Sequence, residues 1–139
     1  MIFLTVSVLA LSFPGCGKKE NTSDRTLRVG IVTYTQDDPF INTMTEQIRE
    51  DLKLKESKDM KILVSVKNGD NDQRDQDELV EEMIAAGCDV LCVNLVDRTA
   101  PSDIIKAARQ EKIPVIFFNR EPVKAVSYTH LRAHETLAN

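Results

Sequence analysis

Three short stretches carry the side chains capable of chemistry. The first, Tyr34-Thr35-Gln36-Asp37-Asp38-Pro39-Phe40, sets two carboxylates between two aromatic rings. An ionised carboxylate accepts hydrogen bonds at several lone-pair sites, and bonds to a charged group are the stronger kind. The second, Asn94-Leu95-Val96-Asp97, and the third, Asn119-Arg120, add an amide that both donates and accepts and a guanidinium that only donates. Each residue also has a plain structural use. Asp37 or Asp38 could cap a helix, Phe40 could be core, Asn94 could brace a turn, and Arg120 could pair with a carboxylate. Metal chemistry has less support. Asp70, Asn71, Asp72, Asp75 and Asp77 resemble a calcium loop by count, but lack its central Gly and terminal Glu. They read as a solvated turn and helix start. His130 and His134 have i, i+4 spacing and no third ligand. Cys88 and Cys92, if on one strand, stand roughly 13 Å apart at ~3.3 Å per residue, too far for a disulfide. They read as buried thiols.

The intervening sequence supplies elements to position these stretches. Leu27 to Thr33 is a β-branched, apolar run, which predicts a buried strand ending at the Tyr34 loop. Pro39 suits a first helical turn, and Ile41, Met44, Ile48 and Leu52 then share one helical face. The alternation repeats. Strands are predicted at Met60–Val66, Val90–Val93 and Val115–Phe118. A helix is predicted from Asp75 to Ala86, with Leu79, Val80, Met83 and Ile84 inward, N-cap candidates in Asn68–Asp72 and Gly87 as C-cap candidate. Another opens at Thr99 and Pro101, carries Ile104, Ile105 and Ala108, and ends near Lys112. Short apolar strands alternating with helices indicate an α/β fold, a parallel sheet covered on both faces. With right-handed crossovers, the flavodoxin-like order 2-1-3-4 follows as the preferred topology. Its switch point lies between strands 1 and 3, where Tyr34–Phe40 meets Asn94–Asp97, with Asn119 and Arg120 alongside. Ligands bind open α/β sheets at such points.

The chain has 139 residues, room for one domain at most. A net charge of −4 disfavours nucleic acid as a partner. Trp is absent and aromatics total 5%, so no large stacking platform is expected. Ile2 to Phe13 is almost wholly apolar, too short to span a bilayer but suited to a secretion signal. Gly15-Cys16 and the polar stretch Gly17-Lys18-Lys19-Glu20-Asn21-Thr22-Ser23 resemble the lipobox of bacterial lipoproteins, although Phe13 and Pro14 are unusual there and no Lys or Arg precedes the apolar run. The expected division is a leader over 1–16, a tether over 17–26, a domain over 27–123, and a tail over 124–139 that looks foreign to the fold.

Four separated motifs now stand in order: Tyr34-x-x-Asp37-Asp38-x-Phe40, Asn68-x-Asp70-Asn71-Asp72-Gln73, Asn94-Leu95-Val96-Asp97 and Pro114-Val115-Ile116-Phe117-Phe118-Asn119-Arg120-Glu121-Pro122. Together they resemble type I periplasmic binding proteins, the two-lobed solute receptors of bacterial ABC transporters, and within them the receptors for hexoses such as galactose or glucose. The resemblance covers residues 27 to 123 and implies an N-terminal sugar-binding lobe, the second lobe being absent here. It implies that Asp38 and Asn94 hydrogen-bond sugar hydroxyls, that Phe40 stacks on a pyranose face, and that Tyr34, Asn119 and Arg120 line the site. It implies no enzymatic activity, no cofactor and no metal. The expected partners are a monosaccharide, a membrane permease and a chemoreceptor. The expected location is extracytoplasmic, in the periplasm or at the outer face of the cell membrane, with membrane contact only through a lipid on Cys16.

Two other classes fit less well. A phosphorelay receiver shares the fold and an acidic pair after strand 1, but its phosphate acceptor is an Asp at the end of strand 3, where this chain has Asn94. A cytosolic sugar-sensing repressor would open with a DNA-binding helical segment, which the apolar leader contradicts.

Overall fold

A computed structural model describes residues 25–123. Cys16, the leader, most of the tether, the tail over 124–139 and its two histidines lie outside the described residues. The elements run β1 (Arg25–Thr33), α1 (Pro39–Lys53), β2 (Met60–Asn68), α2 (Gln73–Ala85), β3 (Val90–Val93), α3 (Ser102–Gln110) and β4 (Val115–Phe117). All pairings between these strands are parallel, and the sheet order is β2-β1-β3-β4, as the alternation implied.

Helix starts follow from local side chains. Asp38 caps α1 by accepting from the Phe40 and Ile41 N–H groups, with Pro39 at the first helical position. Asp72 does the same for α2 through Arg74 and Asp75. The α2 end is a Schellman turn. The N–H of Gly87 donates to Ile84 and that of Cys88 to Met83, and Gly87 takes φ 79°, a conformation that favours glycine. The third helix starts at Ser102, later than Thr99, because Thr99 is held in a turn by the Asp97 carboxylate.

Two apolar layers sandwich the sheet. On one face, Ile48 and Leu52 of α1 pack on Val29, Ile31 and Ile62. On the other, Val80 and Met83 of α2 and Ile104 and Ala108 of α3 pack on Val32, Leu91 and Val93. Complete cover on both faces holds for the end of β1, where Val29 to Thr33 are all buried. It does not hold for β2. That edge strand alternates, with Lys61, Leu63, Ser65 and Lys67 exposed, because α2 lies over β1 rather than over the edge. Ile116 of β4 is likewise half exposed. β1 also starts two residues earlier than its apolar run, since Arg25 pairs with Met60 and donates to the Asp59 carbonyl.

Cys88 and Cys92 are free thiols, and burial pushes both above the usual thiol range. Cys88 helps enclose Gly30. A Cβ there would stand 2.5 Å from Met83 Sδ, 3.0 Å from Leu91 Cδ2 and 3.2 Å from Cys88 Sγ. Gly30→Ala should therefore destabilise the fold by about 1–3 kcal/mol, the usual cost of overpacking. The urea midpoint reads this, and an unchanged midpoint would mean that Met83 moves aside freely.

Candidate functional site

The carboxyl ends of β1, β3 and β4 gather the polar residues singled out above. Tyr34 leaves β1 and turns its hydroxyl back to Asp38, donating to Oδ2 at 2.7 Å. Asp38 is thus held from two sides, with Oδ1 on the helix N–H groups and Oδ2 on the phenol. The phenol bond, joined by those N–H groups, holds the Asp38 carboxyl below the usual carboxylate range. The same bond raises the Tyr34 phenol above its ordinary value. Both shifts describe one arrangement, an ionised carboxylate stabilised by a neutral phenol.

Arg120 reaches the same ring from the loop after β4. Its guanidinium carbon lies 4.5 Å from the Tyr34 ring centroid, and Nη2 donates to the Val96 carbonyl at 2.7 Å. Its Nε–H is buried and has no hydrogen-bond partner among the described residues. The charge of Arg120 contributes to lowering Asp97, whose main support is the Thr99 hydroxyl and N–H. Tyr34, Asp38, Val96 and Arg120 thus form one bonded cluster drawn from three loops.

Phe40 and Asn119 stand outside that cluster. Phe40 is 59% exposed on the first turn of α1, which removes the core reading of this residue. Asn119 is exposed and takes φ 56°, a left-handed conformation that Asn tolerates.

Asn94 differs from the sequence expectation of a presented amide. It is fully buried at the end of β3. Its Oδ1 accepts from the Tyr34 N–H at 3.4 Å, and its Nδ2 donates to the Phe118 carbonyl at 3.0 Å. Its side chain therefore ties β1 to β4 across the intervening β3. In this structure it braces the floor and shows no surface to a ligand.

Gln76 was not singled out from the sequence, and it is the other floor residue. It is fully buried on α2. Nε2 donates to the Asn94 carbonyl at 2.9 Å and lies 3.5 Å from the Thr33 carbonyl, while Oε1 accepts from the Val96 N–H at 3.0 Å. One turn earlier, Gln73 Oε1 accepts from the Asp97 N–H at 2.8 Å. The signal was available, since Gln76 falls four residues before Val80 and seven before Met83, on the inward helical face.

A separate open cleft lies between α1 and the ends of β1 and β2, lined by Thr33, Gln36, Asn42, Thr45, Glu46, Arg49 and Val66. None of the six residues expected to bind sugar lines it. The Tyr34–Arg120 cluster is the candidate site, since charge and aromatic surface converge there. Among the described residues, no group of three or more His, Cys, Asp or Glu is placed to hold a metal ion, and no helix is long and apolar enough to cross a membrane.

Comparison with known proteins adds a family. A model described as a periplasmic binding protein domain matches residues 29–135, running past the 123 boundary expected for the lobe. The D-galactose/methyl-galactoside binding periplasmic protein of Haemophilus influenzae is 34% identical over 95 residues, covering 68% of this chain and 28% of that protein. The ribose import binding protein of Bacillus subtilis is 26% identical over 125 residues, covering 86% of this chain and 39% of that protein. Among solved structures, a carbohydrate transporter solute-binding protein of Chloroflexus aurantiacus in complex with D-glucose superposes with a TM-score of 0.60 at 27% identity. That match covers 73% of this chain and 28% of that one. The chain thus spans well under half the length of these relatives.

Proposed function

Because the chain belongs to the periplasmic binding protein family, we propose that it supplies one lobe of an extracytoplasmic sugar receptor. The receptor binds a hexose, galactose or glucose, between two lobes and delivers it to the membrane permease of an ABC transporter. The observation that carries this reading is the pairing of a fixed, ionised Asp38 with an exposed Phe40 two residues away. A sugar needs both, because its hydroxyls donate to a carboxylate and its C–H face rests on an aromatic ring. The galactose and glucose named for two of the relatives favour a hexose.

Each residue then has a role. Asp38 accepts from adjacent hydroxyls through lone pairs left over from the cap and the phenol. Phe40 covers one pyranose face. Arg120 lines the site, its guanidinium held over the Tyr34 ring and at the Val96 carbonyl. Asn119 stands at the rim. Asn94 acts from beneath, holding Tyr34 and Phe118 in place.

Geometry also sets what one lobe can do alone. Phe40 offers one side of a sandwich, and water competes for every bond at Asp38, whose net worth then falls to ~1 kcal/mol. Association still costs several kcal/mol of translational and rotational freedom, and closure of two lobes about a hinge is what excludes the water. Titrating galactose and glucose into this chain, with amide NMR as readout, should give no saturable shifts, whereas the two-lobed protein should saturate. Micromolar saturation at Asp38 and Phe40 in this chain alone would refute the two-lobe requirement. Failure of the two-lobed protein to bind either hexose would refute the assignment of substrate.

A further inference from the structure

We propose that Tyr34 is the positioning residue of the site: its hydroxyl sets the rotamer of the Asp38 carboxylate while its ring seats the Arg120 guanidinium, so that the two charged groups are presented in register. The proposal deepens the sugar reading and rests on it for its functional part. Its structural part stands on this chain alone.

Asp38 needs only Oδ1 to cap α1, and the cap alone leaves Oδ2 without a fixed partner. The 2.7 Å bond from Tyr34 supplies one. Tyr34 is itself held along its backbone, where its N–H donates to Asn94 and its carbonyl accepts from Asn71 at 2.8 Å. Arg120 has its own anchor at the Val96 carbonyl and lies against the phenol ring rather than against the carboxylate. The phenol is thus a spacer between a cation and an anion. It touches both, and the Asp38 carboxylate keeps free lone pairs for a ligand.

The groups that set the charge of Asp38 can be named. From the loop after β1 comes Tyr34. From α1 come the N–H groups of Phe40 and Ile41. From the loop after β4 comes Arg120, whose charge acts on the phenol and on Asp97 of the loop after β3. The phenol bond is the largest of the effects on Asp38 and favours the ionised form. Removing it moves the Asp38 carboxyl up toward the ordinary range. Acceptance from sugar hydroxyls then fails at a higher pH as the solution is acidified.

Tyr34→Phe tests this, because it deletes the hydroxyl and keeps the ring under Arg120. Carbon-13 NMR of the Asp38 carboxyl in this chain, without sugar, should titrate at higher pH in Tyr34→Phe than in the wild type. In the wild-type chain the Tyr34 Cζ should titrate above an ordinary tyrosine, a readout that needs no variant. In the two-lobed protein, Tyr34→Phe should bind hexose about threefold to tenfold more weakly at neutral pH, the worth of one hydrogen bond. The acid limb of its affinity should also shift upward. An unshifted Asp38 titration in Tyr34→Phe, or an ordinary Tyr34 titration in the wild type, would overturn the positioning role. A shifted Asp38 with no hexose binding by the wild-type two-lobed protein would support the positioning and overturn the sugar reading instead.

Discussion

Asp38→Ala should weaken hexose binding by the two-lobed protein roughly tenfold to a hundredfold, the range for lost hydrogen bonds to a charged group. It should also lower the thermal midpoint of this chain by about 4–8 °C, the equivalent of one helix cap in a domain of this size. The two losses have separate origins. The stability loss comes chiefly from Oδ1, which satisfies the first N–H groups of α1, with the Tyr34 bond at Oδ2 lost as well. The affinity loss comes from the charge and from the remaining lone pairs. Asp38→Asn separates them, since Asn caps a helix about as well as Asp. It should retain most of the midpoint and still bind weakly. The contribution of Asp38 to stability also carries a pH signature, set first by the Tyr34 hydroxyl bond and then by the helix N–H bonds. The folded carboxyl lies below its ordinary range, so the stabilisation is complete above the unfolded value and fades as pH falls through the folded one. Calorimetry and thermal melts on the three proteins decide. If both variants bind as tightly as the wild type, Asp38 is a helix cap and nothing more.

Gln76→Leu should cost about 3 kcal/mol, the largest stability effect expected of a single polar residue here. Leucine fills a similar volume, so the cost is not one of cavity. It arises because the Asn94 carbonyl and the Val96 N–H lose their amide partner, with a weaker loss at the Thr33 carbonyl. Each orphaned buried group costs about 1–3 kcal/mol. Against a total of about 5–15 kcal/mol for an ordinary domain, that is a severe loss. Urea unfolding should show a lower midpoint with an unchanged slope, and amide shifts should move at Asn94 and Val96. A cost below ~1 kcal/mol would show that water replaces the amide and that the floor does not depend on it.

How much of this was legible beforehand depended on whether the signal was local. Strand order followed from apolar runs alternating with helical faces, and both side-chain caps, Asp38 and Asp72, were among the residues marked as candidates. These signals act within a few residues of one another. The strand ends were less legible. The start of β1 at Arg25 and the extension of β2 to Asn68 are set by their mutual register, not by their own composition. The alternation in β2 was missed because β2 lies at an edge, a property of the assembled sheet. The loops after β1, β3 and β4 do meet, as the strand order implied, but the roles of their side chains were not separable. By sequence Gln76 sits among charged neighbours and Asn94 between apolar ones, and neither setting tells what the amide bonds to. Only the packed structure shows both buried, one spanning β1 and β4, the other bonding to β3 and the loop after it.

The central place of β1 has a consequence for biosynthesis. It leaves the ribosome first among the described elements, yet one of its two neighbours, β3, is made roughly sixty residues later, a delay of about 3–12 s at usual synthesis rates. Through that interval only β2 can pair with it, and the Val29–Val32 side that will meet β3 stays open. The nascent chain therefore carries an unsatisfied apolar edge in its most deeply buried strand until Val90–Val93 emerges. A holding chaperone that binds short apolar runs has its window then, and the window closes when β3 docks.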